Sequence, residues 1–522
     1  MSTTVVEQPG INPENISDLE AALAEALGEK WVSSDPAVLT AYSRDFTITP
    51  GNWPNVVVLP GSTEDVAEII KIANRHQVPV VPMSTGFNHG GLCIPRRGGI
   101  MVDLIKRMDQ VLAVDEESMT ITIQPGVRNA VTYIASNKKW AVPGLRRLVP
   151  ALPLTSGSTS TLSNYVARGG AATMLKHGNT PESIVSMTWV LPDGEVLVTG
   201  ANAVPRVGVV PLPWGPGPDI AGMFINASGS FGICTEMTIK IFPEPVEEKF
   251  GVFDLEDPED QPVEKVVDFF YKASRMDVCD FLYKTHGGAM ANSSPDPDID
   301  REDLAEAMGE HLIIAIVAGD TEKEREIKWE AVVAAAEESG FYEVVLEIFA
   351  DYLGGVDKLG FVRGMRSRIG KDFGRVMGGK GSFQWTACNP KMEKIPETAA
   401  EYDLLLDKYW KPTDPNYPRK RTMAGTAIQG PYQFGRVGTL EYDYWWDPGN
   451  TETVKRATRM IQKATALNLK HKLPLWRNMY DSGEMHLPLL GTYWDLLKRA
   501  KRTFDPHNLM HPDVDPLTDD YI

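Results

Sequence analysis

The sequence predicts a mixed fold of helices and sheets, α+β or α/β, in more than one domain. Three observations predict it. The N-terminal half alternates short apolar runs with helix-spaced repeats. The composition changes at Phe242-Pro243-Glu244-Pro245-Val246-Glu247-Glu248, where two prolines stand among acids and longer helical patterns follow. A chain of 522 residues also exceeds what one compact core normally organises.

The elements follow in order. Val56-Val57-Val58-Leu59-Pro60 is a short apolar strand stopped by proline. Ser62-Thr63-Glu64-Asp65 supplies a cap and first-turn acids for a helix in which Val66, Ile69, Ile70 and Ala73 recur at helical spacing, as far as Asn74. Val78-Pro79-Val80-Val81-Pro82 and Gly99-Ile100-Met101-Val102-Asp103-Leu104 are the next buried strands. Met119 to Gly126 alternates at period two, as a half-buried strand does. Val185 to Leu191 and Glu195 to Val198, joined by Pro192-Asp193-Gly194, predict a hairpin. Past the boundary, Glu322 to Glu338 repeats as a helix and Trp445-Trp446 end a strand-like run. Thr451 to Leu467 is an amphipathic helix with Val454, Ala457, Ile461 and Ala464 on one face. A last helix from Leu487 leads into Phe504-Asp505-Pro506-His507-Asn508.

Charge and cysteine usage exclude several functions. Lysine and arginine number 52 against 70 acids, a formal charge of −18, which repels nucleic acid and anionic membrane. No run approaches the roughly 20 apolar residues of a membrane span, and no basic start precedes an apolar run at the N-terminus, so no secretory leader is expected. Cys93, Cys234, Cys279 and Cys388 lie far apart and form no CxxC pair. That spacing argues against zinc ribbons, thioredoxin motifs and iron–sulfur clusters, and it fits a reducing, cytoplasmic location. No metal site is expected.

Three stretches carry chemistry. In the first, Ser84, Thr85, Gly86, Phe87, Asn88, His89 and Gly90 directly follow the strand ending at Val81-Pro82. Glycines, hydroxyls and an amide in that order can turn N–H groups toward one concavity, a nest suited to a pyrophosphate; the alternative is a plain strand-to-helix turn. The second runs from Ser156 to Asn164, with Gly157, Ser158, Ser160, Thr161 and Asn164 as candidate contacts and Gly170 shortly after. Such a segment can lie flat against a cofactor, or it can be a polar surface loop. In the third, Gly229, Gly232 and Ile233 within Gly222 to Thr235 suggest close backbone approach to a ligand or to another strand. Neither GxGxxG nor GxxxxGK[ST] occurs.

Taken in order, these stretches resemble the FAD-binding domain of the vanillyl-alcohol oxidase and 4-cresol methylhydroxylase flavoprotein family. Pro60-Gly61-Ser62-Thr63-Glu64-Asp65-Val66 resembles its opening strand-to-helix turn, and Ser84 to Gly91 its pyrophosphate loop. Gln124-Pro125-Gly126-Val127 is similar to its "EPGV" strand end, with glutamine for glutamate. Pro213 to Asp219 and Gly222-Met223-Phe224 resemble the aromatic-glycine run and "DGLF" element of the phenol-oxidising branch. Phe231-Gly232-Ile233-Cys234-Thr235 is similar to "xGIVT", and Phe504 to Pro512 to the closing "DPxGIxxPG". The resemblance implies an α+β, two-domain fold: an FAD-binding domain over 1–245, rejoined by the tail 475–522, and a cap of antiparallel sheet and helices over 246–474.

The resemblance also implies roles. His89 is similar to a position at which some relatives attach the flavin covalently, whereas closer relatives attach it from the cap, near Thr439, Leu440 or Tyr442 here. No histidine stands at those three positions; Tyr442 is the available group. Leu475-Trp476-Arg477-Asn478-Met479-Tyr480 resembles the Tyr-Arg pair of the substrate pocket, so Arg477 is expected to stabilise negative charge on reduced flavin or on an anionic substrate. Tyr442 and Tyr480 are expected to act as acid–base or orienting groups. Two departures bear on specificity. Trp476 replaces a tyrosine, and Pro150-Ala151-Leu152-Pro153-Leu154 lacks the acid of "PDLGG", with Arg146-Arg147 just upstream.

These readings predict an FAD-dependent oxidoreductase that takes hydride from a small aromatic substrate of the 4-alkylphenol or aryl alcohol type. One alternative is a flavin dehydrogenase of a carboxylate-bearing, 2-hydroxy-acid-like substrate, anchored by Arg146 or Arg147. Another is the flavin subunit of an electron-transfer complex that reduces a cytochrome. Oxygen or a redox protein is the expected electron acceptor, and relatives imply a homo-oligomer.

Overall fold

The computed structural model describes residues 13–88, 90–137, 146–204, 210–287, 303, 310–344, 382–409, 425–432, 434–446, 449–475 and 483–512. Three sheets organise them. The first contains β1 (Val32–Ser33), β2 (Val56–Val58), β3 (Val80–Met83) and β4 (Ile100–Asp103) in the order β1-β2-β4-β3. Its strands β2, β4 and β3 are parallel, so β2 and β3 need a crossover, and helix Thr63–His76 provides it. That helix starts where the sequence places it. The Ser62 hydroxyl accepts from the Asp65 amide at 3.1 Å, and Val66, Ile69, Ile70 and Ala73 are buried against the sheet. Val78 remains tied to the helix end through its amide to the Ala73 carbonyl, 3.0 Å, so the following strand begins at Val80.

The second sheet is antiparallel: β5 (Val111–Asp115), β6 (Thr120–Ile123), β7 (Leu148–Pro150), β8 (Ile184–Val190), β9 (Val196–Val198) and β10 (Ile233–Pro243), in the order β5-β6-β10-β8-β9 with β7 beside β10. The predicted hairpin is β8–β9, turned by Gly194 at φ 86°.

Between Pro243 and Glu247 the chain crosses into a third sheet. It contains β11 (Glu247–Leu255), β12 (Phe281–Thr285), β13 (Leu312–Gly319), β14 (Phe341–Glu343), β15 (Ser382–Cys388), β16 (Gly425–Tyr432) and β17 (Val437–Trp446), in the order β14-β11-β13-β12-β16-β17-β15. Helices Pro262–Arg275, Glu322–Glu337, Ile395–Tyr409 and Thr451–Lys470 cover one of its faces. Phe253, Phe269, Trp329, Tyr402, Leu440 and Tyr442 are buried there in one cluster. Each such side chain contributes roughly 1.5–3 kcal/mol by leaving water. The other face meets the half of the molecule built on the first two sheets. Short helix Met174–His177 packs against β16, and Tyr432 joins Ala151, Ala171 and Met174 in a separate cluster.

The tail returns to the first sheet. The Val80 amide donates to the Leu509 carbonyl and the His511 amide to the Val80 carbonyl, both at 2.8 Å. The single helix expected from Leu487 is divided: Gly491, at φ 55°, separates a 3₁₀ turn (Leu487–Leu490) from helix Thr492–Phe504. Phe504 closes on Phe224 and Phe231. Among the described residues no helix is long and apolar enough to cross a membrane. This arrangement is the α+β class expected from the sequence.

Candidate active site

A cleft of about 160 Å³ opens where the first two sheets and the tail converge. The loop after β3 forms one wall. Ser84 accepts from the Ser163 hydroxyl at 2.8 Å. The Asn88 side-chain oxygen accepts from the amides of Gly90 (2.7 Å) and Leu92 (3.2 Å), an Asx turn that closes the loop on itself. Gly86 takes φ 66°, Thr85 accepts from the Ser160 amide at 3.4 Å, and the Phe87 ring leans on Phe46 at 4.7 Å. Ser84 and Asn88 line the cleft, and no helix follows this loop among the described residues.

The Ser156–Asn164 segment faces two ways. Ser160 caps helix Thr161–Val166 through the Ser163 amide, 3.1 Å, and donates to the Pro125 carbonyl at 2.6 Å. The Thr161 hydroxyl bonds Asn129 at 3.0 Å and Thr132 at 2.7 Å. The Asn164 amide donates to the Ser160 carbonyl at 2.7 Å. Gly157 and Gly170 offer carbonyls to the amides of Ala130 and Leu154, and Ser158 is exposed beside Ser156 at 2.8 Å. These side chains hold the loop in shape; Leu162 and Ser163, one helix position on, reach the cleft.

The opposite wall is built from Asn226, Ser228, Gly229, Gly232, Ile233 and His511. Glycine is required twice here. A Cβ on Gly232 (φ 136°) would sit 2.4 Å from the Val190 carbonyl oxygen, and one on Gly229 (φ 82°) would sit 2.8 Å from His511 Nδ1. Asn226 and Ser228 also take positive φ. His511 Nδ1 lies 2.5 Å from the Ser228 carbonyl, so it carries the proton. Burial pushes its pKa down to about 4, helped by the charges of Lys501 and Arg96 against the backbone groups of Ser228 and Leu92. Lys501, fully buried, holds the tail in place: its ammonium donates to Asp505 (2.6 Å), the Met510 carbonyl (2.7 Å) and the Ser230 carbonyl (2.8 Å).

Three buried polar atoms on the cleft have no ordinary hydrogen bond: Trp189 Nε1, Asn226 Oδ1 and His511 Nε2. Groups so placed are rarely left unmatched. One donor among acceptors, beside a glycine-bearing turn, suits an organic nucleotide, whose sugar and base offer both donors and acceptors.

A second group of polar side chains lies on the face of the third sheet opposite its helices. Along β17, Leu440, Tyr442 and Tyr444 enter the helix-side core, so Glu441 and Asp443 turn to the opposite face. Both are buried. Asp443 Oδ2 lies 3.2 Å from His286 Nε2, and Glu441 Oε2 accepts from the Gln429 amide at 2.5 Å. Gly425, opposite Asp443 in register, leaves the space that the His286 imidazole fills. Burial, then the Asp443 charge, pushes Glu441 well above the carboxylate range. Burial raises Asp443 to about 7, opposed by a hydrogen bond from Glu441 and the Lys284 charge.

None of these four residues is among the sequence candidates. Tyr442, which is, turns the other way: its hydroxyl donates to Asn468 Oδ1 at 3.0 Å and its ring lies 4.1 Å from Tyr402. His89, Trp476, Arg477 and Tyr480 lie outside the described residues. Arg146 forms a two-pronged exposed pair with Asp320, one bond at 2.6 Å, and Arg147 reaches Asn137 at 3.4 Å. A further cavity of about 300 Å³ lies at the junction of the second and third sheets. Its charges are matched in pairs, Arg146 with Asp320, Lys176 with Asp280 (3.7 Å) and Lys328 with Glu324 (2.6 Å). Glu397, Glu401 and His471 bring ligand atoms within 4.8 Å of one another, but Lys470 already bonds Glu401 at 2.5 and 2.8 Å.

Comparison with known proteins gives this geometry a context. Residues 54–200 match a family described as "FAD binding domain". Glycolate oxidase subunit GlcD of Bacillus subtilis (strain 168) is 29% identical over 232 residues, 44% of this chain and 46% of that protein. The 1'-carboxy-chondrochloren decarboxylase of Chondromyces crocatus is 32% identical over 261 residues, 49% of this chain and 46% of that protein. The chain thus spans about half the length of these curated relatives. The crystal structure of p-cresol methylhydroxylase with substrate bound superposes with a TM-score of 0.81 at 21% identity, covering 98% of this chain and 99% of that one. That likeness establishes the fold, the one seen in p-cresol methylhydroxylase, and the match of residues 54–200 to an FAD binding domain indicates FAD as the cofactor.

Proposed function

We propose that the chain is an FAD-dependent oxidoreductase that takes hydride from a small, hydroxyl-bearing aromatic substrate of the 4-alkylphenol or aryl alcohol type. Ser84, Asn88, Ser163, Asn226, Gly229 and His511 would hold the nucleotide. Bound FAD supplies a two-electron acceptor. The substrate lies between the FAD-binding half and the polar face of the third sheet, where Glu441, Asp443, His286, Gln429 and Tyr283 are grouped. That polar face is the observation that carries the reading. It offers buried hydrogen-bond acceptors to a hydroxyl, and its carboxyl pair disfavours an anionic guest.

A second reading has one observation in its favour. The likeness to a glycolate oxidase subunit supports a carboxylate-bearing, 2-hydroxy-acid-like substrate. The described arginines nearest the junction support it less, because Arg146 is engaged by Asp320. Anaerobic titration of purified holoprotein separates the two. Bleaching of the flavin absorbance by 4-ethylphenol or a benzyl alcohol, and not by glycolate or D-lactate, is expected; the reverse pattern overturns the first reading. Admitting air to the reduced protein then identifies the acceptor. Fast return of the yellow colour indicates oxygen, and slow return indicates a redox partner such as a cytochrome.

A further inference from the structure

We propose that Asp443, backed by Glu441 and His286, is the base that removes the substrate's hydroxyl proton as hydride leaves; this deepens the reading above and rests on it. Oxidation of a hydroxyl-bearing carbon, or of a 4-alkylphenol to its quinone methide, must balance. Bound FAD would supply the acceptor for the C–H hydrogen with its electron pair, the O–H bond gives a proton to the Asp443 carboxylate, and the electron pair left on oxygen forms C=O. Such chemistry needs a proton acceptor within hydrogen-bond reach of the substrate oxygen.

The third sheet supplies one by construction. Period-two alternation puts Glu441 and Asp443 on one face, two residues apart. The missing side chain at Gly425 admits His286, whose Nε2 sits 3.2 Å from Asp443. Gln429 donates to Glu441 at 2.5 Å, leaving its own Oε1, on a residue only 7% exposed, without a hydrogen-bond partner. A buried amide oxygen in that position calls for a donor, and a substrate hydroxyl is one.

The surrounding charges fix which carboxyl is free to act. Asp443 shares its face with Glu441 on its own strand, Tyr283 on β12 and His286 just beyond it; from the helix-covered side Tyr444, the next residue along β17, and Tyr402 of helix Ile395–Tyr409 lie within range of its charge, and Lys284 on β12 acts on it in turn. Lys284 donates to the Thr426 carbonyl and hydroxyl at 2.5 and 3.2 Å and its charge favours ionised Asp443. Burial and the Asp443 charge push Glu441 well above the carboxylate range, so it is the weaker candidate for an ionised base. Asp443 is then the carboxylate that receives the proton, near neutral pH, with Glu441 and His286 as positioning residues.

The test uses holoprotein in anaerobic stopped flow, with a substrate that bleaches the wild-type flavin. The wild-type reduction rate is expected to rise with pH and level off above neutrality. Asp443→Asn is expected to lower the plateau by about 100-fold or more and to flatten the profile. FAD retention, and the affinity for unsubstituted phenol read from the flavin spectrum, should stay within about threefold, since the amide oxygen still accepts a hydrogen bond. His286→Gln should displace the profile along the pH axis. Near-wild-type reduction with an unchanged profile in Asp443→Asn overturns the proposal while leaving the oxidoreductase reading intact. Should that variant fail to fold, the wild-type profile decides: a flat rate from about pH 5 to about pH 9 overturns it equally. A wild-type flavin bleached by no member of the substrate panel removes both readings together.

Discussion

The cleft between the first two sheets and the tail and the polar face of the third sheet, the two halves of the proposed site, are built by opposite means. The cleft is made by backbone. Gly229 and Gly232 take conformations closed to other residues, Asn88 ties off its own loop, and the tail pairs with β3 through main-chain bonds. The polar face is made by side chains from strands far apart in sequence: His286, Gln429, Glu441 and Asp443 meet only because of the register of β12, β16 and β17. On the proposed reading the cleft holds the cofactor and the polar face determines what is done with it. Substitutions in the cleft should therefore cost stability and FAD together, and substitutions on the sheet should separate chemistry from both.

Lys501 offers the largest expected effect and the hardest trial of that division. Its ammonium pairs with Asp505 at 2.6 Å, and both are buried. Lys501→Met leaves a buried carboxylate without its counter-ion, at a cost of roughly 3–5 kcal/mol. Urea unfolding should record that loss, and gel-filtered protein should emerge with little flavin. Full FAD content with a displaced unfolding midpoint would show that the tail is not needed to close the cleft.

His511 comes next. Its folded pKa, about 4, lies below the unfolded value of 6.5, so between those values the unfolded chain binds more protons. Stability contributed by the neutral imidazole is present above about pH 6.5 and is lost as pH falls toward 4, by about 3 kcal/mol across the interval. His511→Gln should flatten that part of the urea midpoint against pH. An unchanged slope would assign the acid sensitivity elsewhere. Gly232→Ala is smaller: a Cβ 2.4 Å from the Val190 oxygen, at φ 136°, should cost roughly 1–3 kcal/mol and reduce the flavin-to-protein ratio.

The same contrast explains what the sequence made legible. Helix Thr63–His76 follows from a serine cap, two acids and an apolar stripe within a few residues of one another, and the β8–β9 hairpin follows from Pro192-Asp193-Gly194. The loop at Ser84–Gly90 and the glycines at 229 and 232 are equally local, since a positive φ leaves its mark on the residue that adopts it. Ser160 and Thr161 were legible as polar but not as structural: whether a hydroxyl faces a cofactor or caps its own helix depends on Asn129, Thr132 and Pro125, some thirty residues away. Leu440-Glu441-Tyr442-Asp443-Tyr444 shows the limit most clearly. Apolar and acidic residues alternate there as on any strand with a solvated face, and nothing nearby in sequence says that the acidic face is buried too. The aromatic member draws attention by its chemistry, yet the fold assigns it to the core.

Tyr442→Phe tests that assignment, with the smallest expected effect. The hydroxyl donates to Asn468 Oδ1 inside the helix-covered core. Removing it strands an acceptor there and should cost about 1–2 kcal/mol, visible in urea unfolding. The carboxyls at 441 and 443 point the other way, so flavin reduction and its pH profile should stay within about twofold of wild type, a difference too small to reflect a lost catalytic group. The flavin released on acid precipitation should also be the same in both proteins, because a side chain packed against Tyr402 at 4.1 Å on the helix side is not positioned to join the ring. A variant that unfolds like wild type but reduces its flavin far more slowly would place the Tyr442 hydroxyl in the reaction and break the two-faced reading of β17 from which the role of Asp443 follows.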